Sequence, residues 1–484
     1  MNSITNLEPK EVWHYFNEVC NVPRPSKHEE KMIQYLLDFA AEHKLDAKKD
    51  KAGNIVIRKS GTVGLQDGNV IVLQSHMDMV CEKNEGAVHD FFNDPILPVV
   101  EGDWVRALHT TLGADCGIGI AASLAVLADK SLVHPPIEAL FTVDEESGLT
   151  GAKALEFGML KGKILLNLDS EDEGEIFVGC AGGIDSIATL NFVPEPVPTN
   201  FNAFKITVAG LLGGHSGDDI EKGRGNSIKI LNRFLYQLIK TCEYRISTFQ
   251  GGNLRNAIPR EANVVLAIPS DKKEQLAIEL NHFRVEMENE LFRKEPKFKV
   301  SLESTELPES VMDAECQEKI VKMLYAMPHG IHAMSYRMPG LVESSTNLAC
   351  IRFKPGAVVE IVTSQRSDLE SGKQDISQMV EAVFKLAGAK VRQGEGYCGW
   401  TPNPDSYTLE ISRKCYEELF GVKPIVRSIH AGLECGLFLE KFPELDMISF
   451  GPTLRGVHSP DEKIEIASVG KFWKFLTELL PKLA

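Results

Sequence analysis

Several histidines and carboxylates follow directly on apolar, strand-like runs. "NVIVLQ" (69–74) leads into His76 and Asp78, and "PIEALFTV" (136–143) into Asp144, Glu145 and Glu146. "KILLNL" (163–168) leads into Asp169, and "LDMISFG" (445–451) reaches His458 through a short loop in "GVHSPDE". Asp115 lies in a Gly-rich turn, "TTLGADCGIG", just ahead of a helix-like segment. Imidazoles and carboxylates together are the ligands of divalent cations. Singly, each piece is ordinary: Asp after a strand is common turn chemistry, and adjacent glutamates usually mark a solvated loop. Four strand ends delivering such groups are harder to explain as surface, because open parallel sheets build their sites outside the carboxyl ends of the strands.

The set His76, Asp115, Glu146, Asp169 and His458 suits a pair of ions better than one. Asp115 can bridge, with His76 and Asp169 completing one site and Glu146 and His458 the other. There is no H-E-x-x-H motif, so the single-zinc helix pattern does not apply. Asp78 is placed to accept the proton on the other nitrogen of His76 and fix its tautomer. Glu145 and Glu146 are consecutive, so in extended backbone they point to opposite sides. One is then a ligand, and the other is free to act as a general base on a water.

The elements that position these residues alternate in the first third of the chain. Helical spacing covers 9–20, and Ser26-Lys27-His28-Glu29 reads as a capping box opening a helix to about Glu42. Strands at 53–59, 69–74, 136–143 and 163–168 surround a helix at 118–129. This predicts an α/β fold, a mainly parallel sheet sandwiched by helices. After the Gly-rich joint "GCAGGIDS" (179–186) the pattern changes to β-α-β-β-α and then a similar set again, predicting an inserted domain of two open-faced α+β units. The final segment returns to the first style. The expected division is a catalytic metal-binding domain over 1–185 and 399–484, with an inserted α+β lid and dimerisation domain over 186–398.

Composition agrees with a globular protein: 484 residues, 43% hydrophobic and 25% charged. A net charge of −16 disfavours nucleic acid and anionic membrane as partners. The N-terminus shows no basic region followed by an apolar one, no run approaches a membrane span, and the ten scattered cysteines form no C-x-x-C pair. A cytoplasmic location is the expectation.

Taken in order, "HMDMV", "TTLGADCGIG", "DEESG", "NLDSEDEGEI", "GCAGGID", "GGHSG", "RNAIPRE", "HAGLECGLF" and "GPTLRGVHSPDE" resemble the dinuclear metallopeptidase family of glutamate carboxypeptidases, aminoacylases and carnosinases. The resemblance runs from near residue 70 to near 465. It implies a zinc-exopeptidase-like fold, a pair of divalent ions (zinc, with manganese or cobalt as alternatives), a homodimer, the five ligands assigned above, and Glu145 as general base. The implied reaction is amide hydrolysis by a metal-bridging water, with dipeptides, including those ending in histidine, as substrates. His215 of "GGHSG" is similar to a lid histidine that stabilises the carbonyl oxyanion, and Asn256 to the Asn of the family's N-x-I-P segment. Where most relatives have an arginine thirteen residues beyond that Asn, this chain has Pro269. Arg366 in "SQRSD" takes the role of gripping the substrate carboxylate, and Gly432 resembles a position whose backbone contacts the substrate terminus.

Plainer readings stand beside these. His28, His89 and His109 lack partner patterns, and Asp461 and Glu462 read as caps of the final helix region. His430, Glu434 and Cys435 invite a Cys–His nucleophile, but free cysteine is usually a small buried hydrophobe and no third orienting group accompanies it. Two rivals remain: an aminoacylase or carboxypeptidase of the same family, and a silent metal-binding homologue.

Overall fold

The computed structural model describes residues 4–484, which divide into two compact units. One comprises the described residues up to Cys180, with Trp400–Ser428 and Leu433–Ala484; the other comprises Ala181–Gly399 and Ile429–Gly432.

The first unit is built on an eight-stranded sheet. Its middle runs Ile137–Thr142, Ile71–His76, Ile164–Asn167 and Asp446–Ser449, neighbours paired in parallel. Asp46–Lys49 and Ile55–Lys59 extend one side antiparallel, and Glu175–Cys180 adds antiparallel on the other. The parallel character is thus confined to the centre, where buried apolar runs such as Ile71-Val72-Leu73 need cover on both faces. The helix Ala114–Ala128 is apolar nearly all round and correspondingly buried, packing against Lys10–Cys20 and the strand Ile71–His76. Trp13, Phe16, Ala121, Ala125, Leu454 and Val469 meet in one cluster there. Fully burying a side chain of Leu or Phe size is worth roughly 1.5–3 kcal/mol, so this cluster holds the helix that carries Asp115.

The expected capping box does not form. The helix Glu30–Glu42 begins after Glu29 without a side-chain cap. Ser26 instead donates to Asp78 Oδ2 at 2.8 Å, and Glu29 accepts from the backbone of Lys27 and Asp144 at 2.9 Å each. Ser26 thus serves the loop after the His76 strand, and Glu29 serves both its own turn and the loop that starts at Asp144.

The second unit is built on one nine-stranded sheet, in which the two expected α+β halves are continuous. Its halves join where Arg245–Gly251 pairs antiparallel with Val342–Lys354, Gly251 opposite Ile351. Phe201–Ala209 and Ala262–Pro269 lie to one side of this seam, Val358–Ser367 and Gly182–Asn191 to the other. A large apolar core, including Phe234, Phe249, Phe283, Ile320, Ile351, Ile361 and Phe384, spans both halves and binds the helices Ser227–Leu238, Lys273–Glu290, Ala314–Ala326 and Glu370–Leu386. Asn226 caps the first of these by accepting from Ile228 and Lys229, and Asp313 caps the third. Among the described residues no helix is long and apolar enough to cross a membrane.

Candidate metal centre

The four central parallel strands of the first unit are the four that the site residues follow. Because they are parallel neighbours, their carboxyl ends share one edge, and His76, the Asp144–Glu146 loop, Asp169 and the His458 loop emerge together. Asp115 joins them from the first turn of Ala114–Ala128, where its backbone is not helical.

Asp115 lies between the two imidazoles. Its Oδ1 is 3.1 Å from His76 Nε2 and its Oδ2 is 3.2 Å from His458 Nε2. His76 Nε2 is also 3.3 Å from Asp169 Oδ1, and His458 Nε2 is 2.9 Å from Glu146 Oε2. These contacts divide the five residues into His76–Asp169 and His458–Glu146, with Asp115 shared. The other nitrogen of His76 lies 3.1 Å from the Asp78 carbonyl oxygen and 3.3 Å from its Oδ1. Asp78 also accepts from the backbone N–H groups of Glu145 and Glu146, at 3.0 and 3.2 Å, so one buried carboxylate orients both the imidazole and the glutamate loop.

Glu145 and Glu146 do not occupy extended backbone. They form the first turn of the short helix Glu145–Gly148, which follows Asp144 in a left-handed conformation (φ 50°). Both bring a carboxylate oxygen near His76. Only Glu146 pairs with His458. Cys116 Sγ also stands near His76 and Asp169.

The electrostatics call for positive charge. Burial pushes the Glu145 carboxyl well above its usual range, with the charges of Asp169, Glu434 and Glu146 adding to the effect against His76. Burial likewise pushes Asp169 up to about 6 against the pull of His76. Burial opposes charge on Asp115, but hydrogen bonds with both imidazoles draw its carboxyl well below the ordinary range. His458 is raised to about 11 by its contacts with Asp115 and Glu146, and the carboxylates around His76 outweigh its burial and raise it as well. Protons held on two imidazoles offset the carboxylate excess, and divalent cations could do so in their place. Glu146 Oε1 is buried without a hydrogen-bond partner, and the donor set of imidazole and carboxylate suits divalent cations. The residues therefore fit such cations.

Three supporting residues left no local pattern in the sequence. Glu462 does not cap the final helix: its buried carboxylate accepts from the backbone of Leu112, Gly113 and Ala114 at 2.7, 2.9 and 2.7 Å, shaping the turn that presents Asp115. Arg24, also buried, donates to the carbonyls of Met77, Asp78 and Gly113 and ties that turn to the end of the His76 strand. Gly113 is there with φ 68°, and a Cβ would lie 2.6 Å from Arg24 Nη2. Glu434 accepts from Gln74 Nε2 and Thr142 Oγ1 at 2.6 and 2.8 Å, which removes it and Cys435, itself buried, from any nucleophile role.

In the second unit, Arg366 is buried on Val358–Ser367 and donates through Nη1 to Tyr397 Oη at 2.9 Å. Its Nη2 lies 3.4 Å from His215 Nε2. Gly432 packs on Tyr397, where a Cβ would come within 2.8 Å of the ring. His430 Nε2 pairs with Ser345 Oγ at 2.7 Å. Asn256 is exposed, and its carbonyl accepts from Ser216 N at 2.8 Å. Arg366 and Gly432 thus meet at Tyr397, with His215 beside Arg366; Tyr397 carried no signal in the sequence.

Comparison with known proteins bears on this arrangement. Over 483 residues the chain is 44% identical to the cytosol non-specific dipeptidase of Escherichia coli (strain K12), covering 100% of this chain and 99% of that protein. The crystal structure of aminoacylhistidine dipeptidase from Vibrio alginolyticus matches at a TM-score of 0.93 and 44% identity, over 100% of this chain and 98% of that one. The structure of aminopeptidase PepT from Bacillus cereus ATCC 10987 shares the fold at a TM-score of 0.57 and 16% identity, over 99% of each chain. The family model described as peptidase family M20/M25/M40 matches residues 72–482. With most of its length inside that match, the chain belongs to peptidase family M20/M25/M40.

Proposed function

We propose that this protein is a metal-dependent dipeptidase that hydrolyses the peptide bond of short peptides, with Xaa-His dipeptides among its substrates. The observation that carries the reading is the Asp115 carboxylate set between His76 and His458, each imidazole with its own second carboxylate. Similarity over the whole chain to a dipeptidase supports the substrate class.

His76, Asp115 and Asp169 would hold one divalent cation, and Asp115, Glu146 and His458 the second; zinc is the proposed metal. Bound cations would supply Lewis acidity, activating a water and polarising the scissile carbonyl. Glu145 accepts a proton from the attacking water at its carboxylate and delivers it to the departing amine. Asp78 holds the His76 ring and the Glu145–Glu146 backbone in place. Substrate binding falls to His215, Asn256, Arg366 and Gly432, with the buried Arg366 guanidinium matching a free carboxylate. A homodimer in the cytoplasm completes the proposal; the free cysteines suit a reducing compartment.

The test is turnover by purified protein loaded with Zn²⁺, Mn²⁺ or Co²⁺, on Ala-His and other dipeptides against N-acetyl amino acids. Dipeptide hydrolysis that stops on chelation is expected. A preference for acylated amino acids would make the protein an aminoacylase, and metal binding without turnover on either would make it a silent homologue.

A further inference from the structure

Gln74, Asn167 and Ser449 are polar residues inside the most apolar part of the first unit, and all three are fully buried. Gln74 is the register partner of Asn167, and Asn167 of Ser449, so they form one row across three adjacent parallel strands. Gln74 lies two positions before His76, and Asn167 two before Asp169. Gln74 and His76 both lie on the strand Ile71–His76, where side chains two apart share a face, so the row lies just inside the candidate metal centre on the face of His76, and Asp169 follows directly on the end of its strand.

The row has a direction. Ser449 Oγ donates to Asn167 Oδ1, Asn167 Nδ2 donates to Gln74 Oε1 at 2.5 Å, and Gln74 Nε2 donates to Glu434 Oε2 at 2.6 Å. The hydrogen of Ser449 is committed to Asn167, so Ser170 Oγ is the donor in its 2.6 Å contact with Ser449. Thr142 Oγ1 adds a donor to the same Glu434 oxygen at 2.8 Å. Every dipole points its positive end toward one carboxylate, an arrangement in which each bond polarises the next. The other oxygen, Glu434 Oε1, is buried with no hydrogen-bond partner. The charged groups that act on Glu434 include His76, Asp169 and Asp78, and Glu434 in turn acts on Glu145. A buried polar row in hydrophobic strands costs stability unless fully satisfied, and this one ends in a half-satisfied carboxyl group beside the site, which burial pushes up to about 8.

We propose that Glu434 is a positioning residue of the cation-binding centre: through Gln74 and Asn167 it fixes the strand ends that carry His76 and Asp169. The proposal rests on the metal-dependent reading given above.

The test uses the full-length protein with Co²⁺ as probe, in the wild type, Glu434→Gln and Ser449→Ala. Affinity is measured by competition with a chelator, the ligand field by visible absorption, and the fold by melting of the cation-free protein. Removal of outer partners of metal ligands typically costs about 10–100-fold in affinity. Glu434→Gln is expected to lose Co²⁺ affinity in that range and to change the Co²⁺ spectrum. It should melt no lower than wild type without cations and, when saturated with Co²⁺, show lower kcat at unchanged KM. Ser449→Ala, at the far end of the row, should lose affinity by a smaller factor in the same direction. Affinity and spectrum within twofold of wild type in Glu434→Gln would overturn the proposal. So would a fall in cation-free melting temperature with unchanged affinity, since that marks a purely structural row. If Glu434→Gln does not fold, Ser449→Ala decides alone, and unchanged affinity there overturns the proposal. Failure of the wild type itself to bind Co²⁺ would instead refute the metal-dependent reading.

Discussion

His215 Nε2 and Arg366 Nη2 lie 3.4 Å apart. Gly217 N and Asp218 N donate to His215 Nδ1 at 3.3 and 3.2 Å, so Nδ1 is the bare nitrogen and Nε2 carries the hydrogen. Burial and the neighbouring guanidinium both lower the His215 pKa, which keeps the ring neutral. Two N–H groups that cannot bond to each other are therefore presented side by side, suited to one anionic acceptor.

Arg366→Met should consequently raise KM for dipeptides. A hydrogen bond to a charged group is worth about 1.5–3 kcal/mol, or roughly 10- to 150-fold. Steady-state kinetics on Ala-His and its C-terminal amide provide the check. Wild type should strongly prefer the free acid, and the variant should lose that preference. Retained discrimination would assign the carboxylate to another residue.

The two adjacent glutamates should separate by function. Glu145→Gln removes a proton acceptor while leaving the His458–Glu146 contact at 2.9 Å, so cation content should persist while kcat falls by about 10²–10⁴. Glu146→Gln should reduce cation content first. Metal analysis alongside kinetics distinguishes the two, and cation loss in Glu145→Gln would exchange their roles.

Much of the fold was readable because its signals are local. Apolar runs marked the four central strands, and their parallel order brings the residues just beyond them to one edge. Local rules failed where distant residues intervened. Ser26 satisfies Asp78 instead of capping a helix, and the Glu145–Glu146 pair starts a helix because Asp78 accepts from both of their backbone N–H groups. Glu462 reaches the Asp115 turn across some 350 positions, which no spacing rule detects. The Gln74–Asn167–Ser449 row did leave a trace, as polar residues in otherwise apolar strands, each near a strand end.

Glu462 offers a stability prediction. Replacement by Ala would strand the buried N–H groups of Leu112, Gly113 and Ala114. An unsatisfied buried donor costs about 1–3 kcal/mol, so a total loss of several kcal/mol is expected. Glu462→Gln retains a carbonyl oxygen and should lose less. Denaturant melts of the three proteins test the ranking, and equal stability of Ala and wild type would show that the turn does not depend on this carboxylate.

His329, in the second unit, should make stability depend on acid. Its Nδ1 accepts from Leu348 N and from Asn226 Nδ2, both at 3.4 Å, so the folded protein needs that nitrogen unprotonated. Burial, with the Lys229 charge adding, lowers its pKa from an ordinary 6.5 to about 4. Because the folded value lies below the unfolded one, the unfolded chain takes up the proton first. The contribution of His329 is thus complete above pH 6.5 and is lost progressively as pH falls toward 4. For a half-buried ring the loss should be on the order of 1–2 kcal/mol, less than the full shift would give at 1.36 kcal/mol per unit. Denaturant unfolding of wild type and His329→Gln at pH 7.5 and 4.5 isolates it, since other acid-sensitive groups are common to both. The stability gap between the two proteins should narrow or reverse at the lower pH. A constant gap would mean that His329 does not titrate differently on folding.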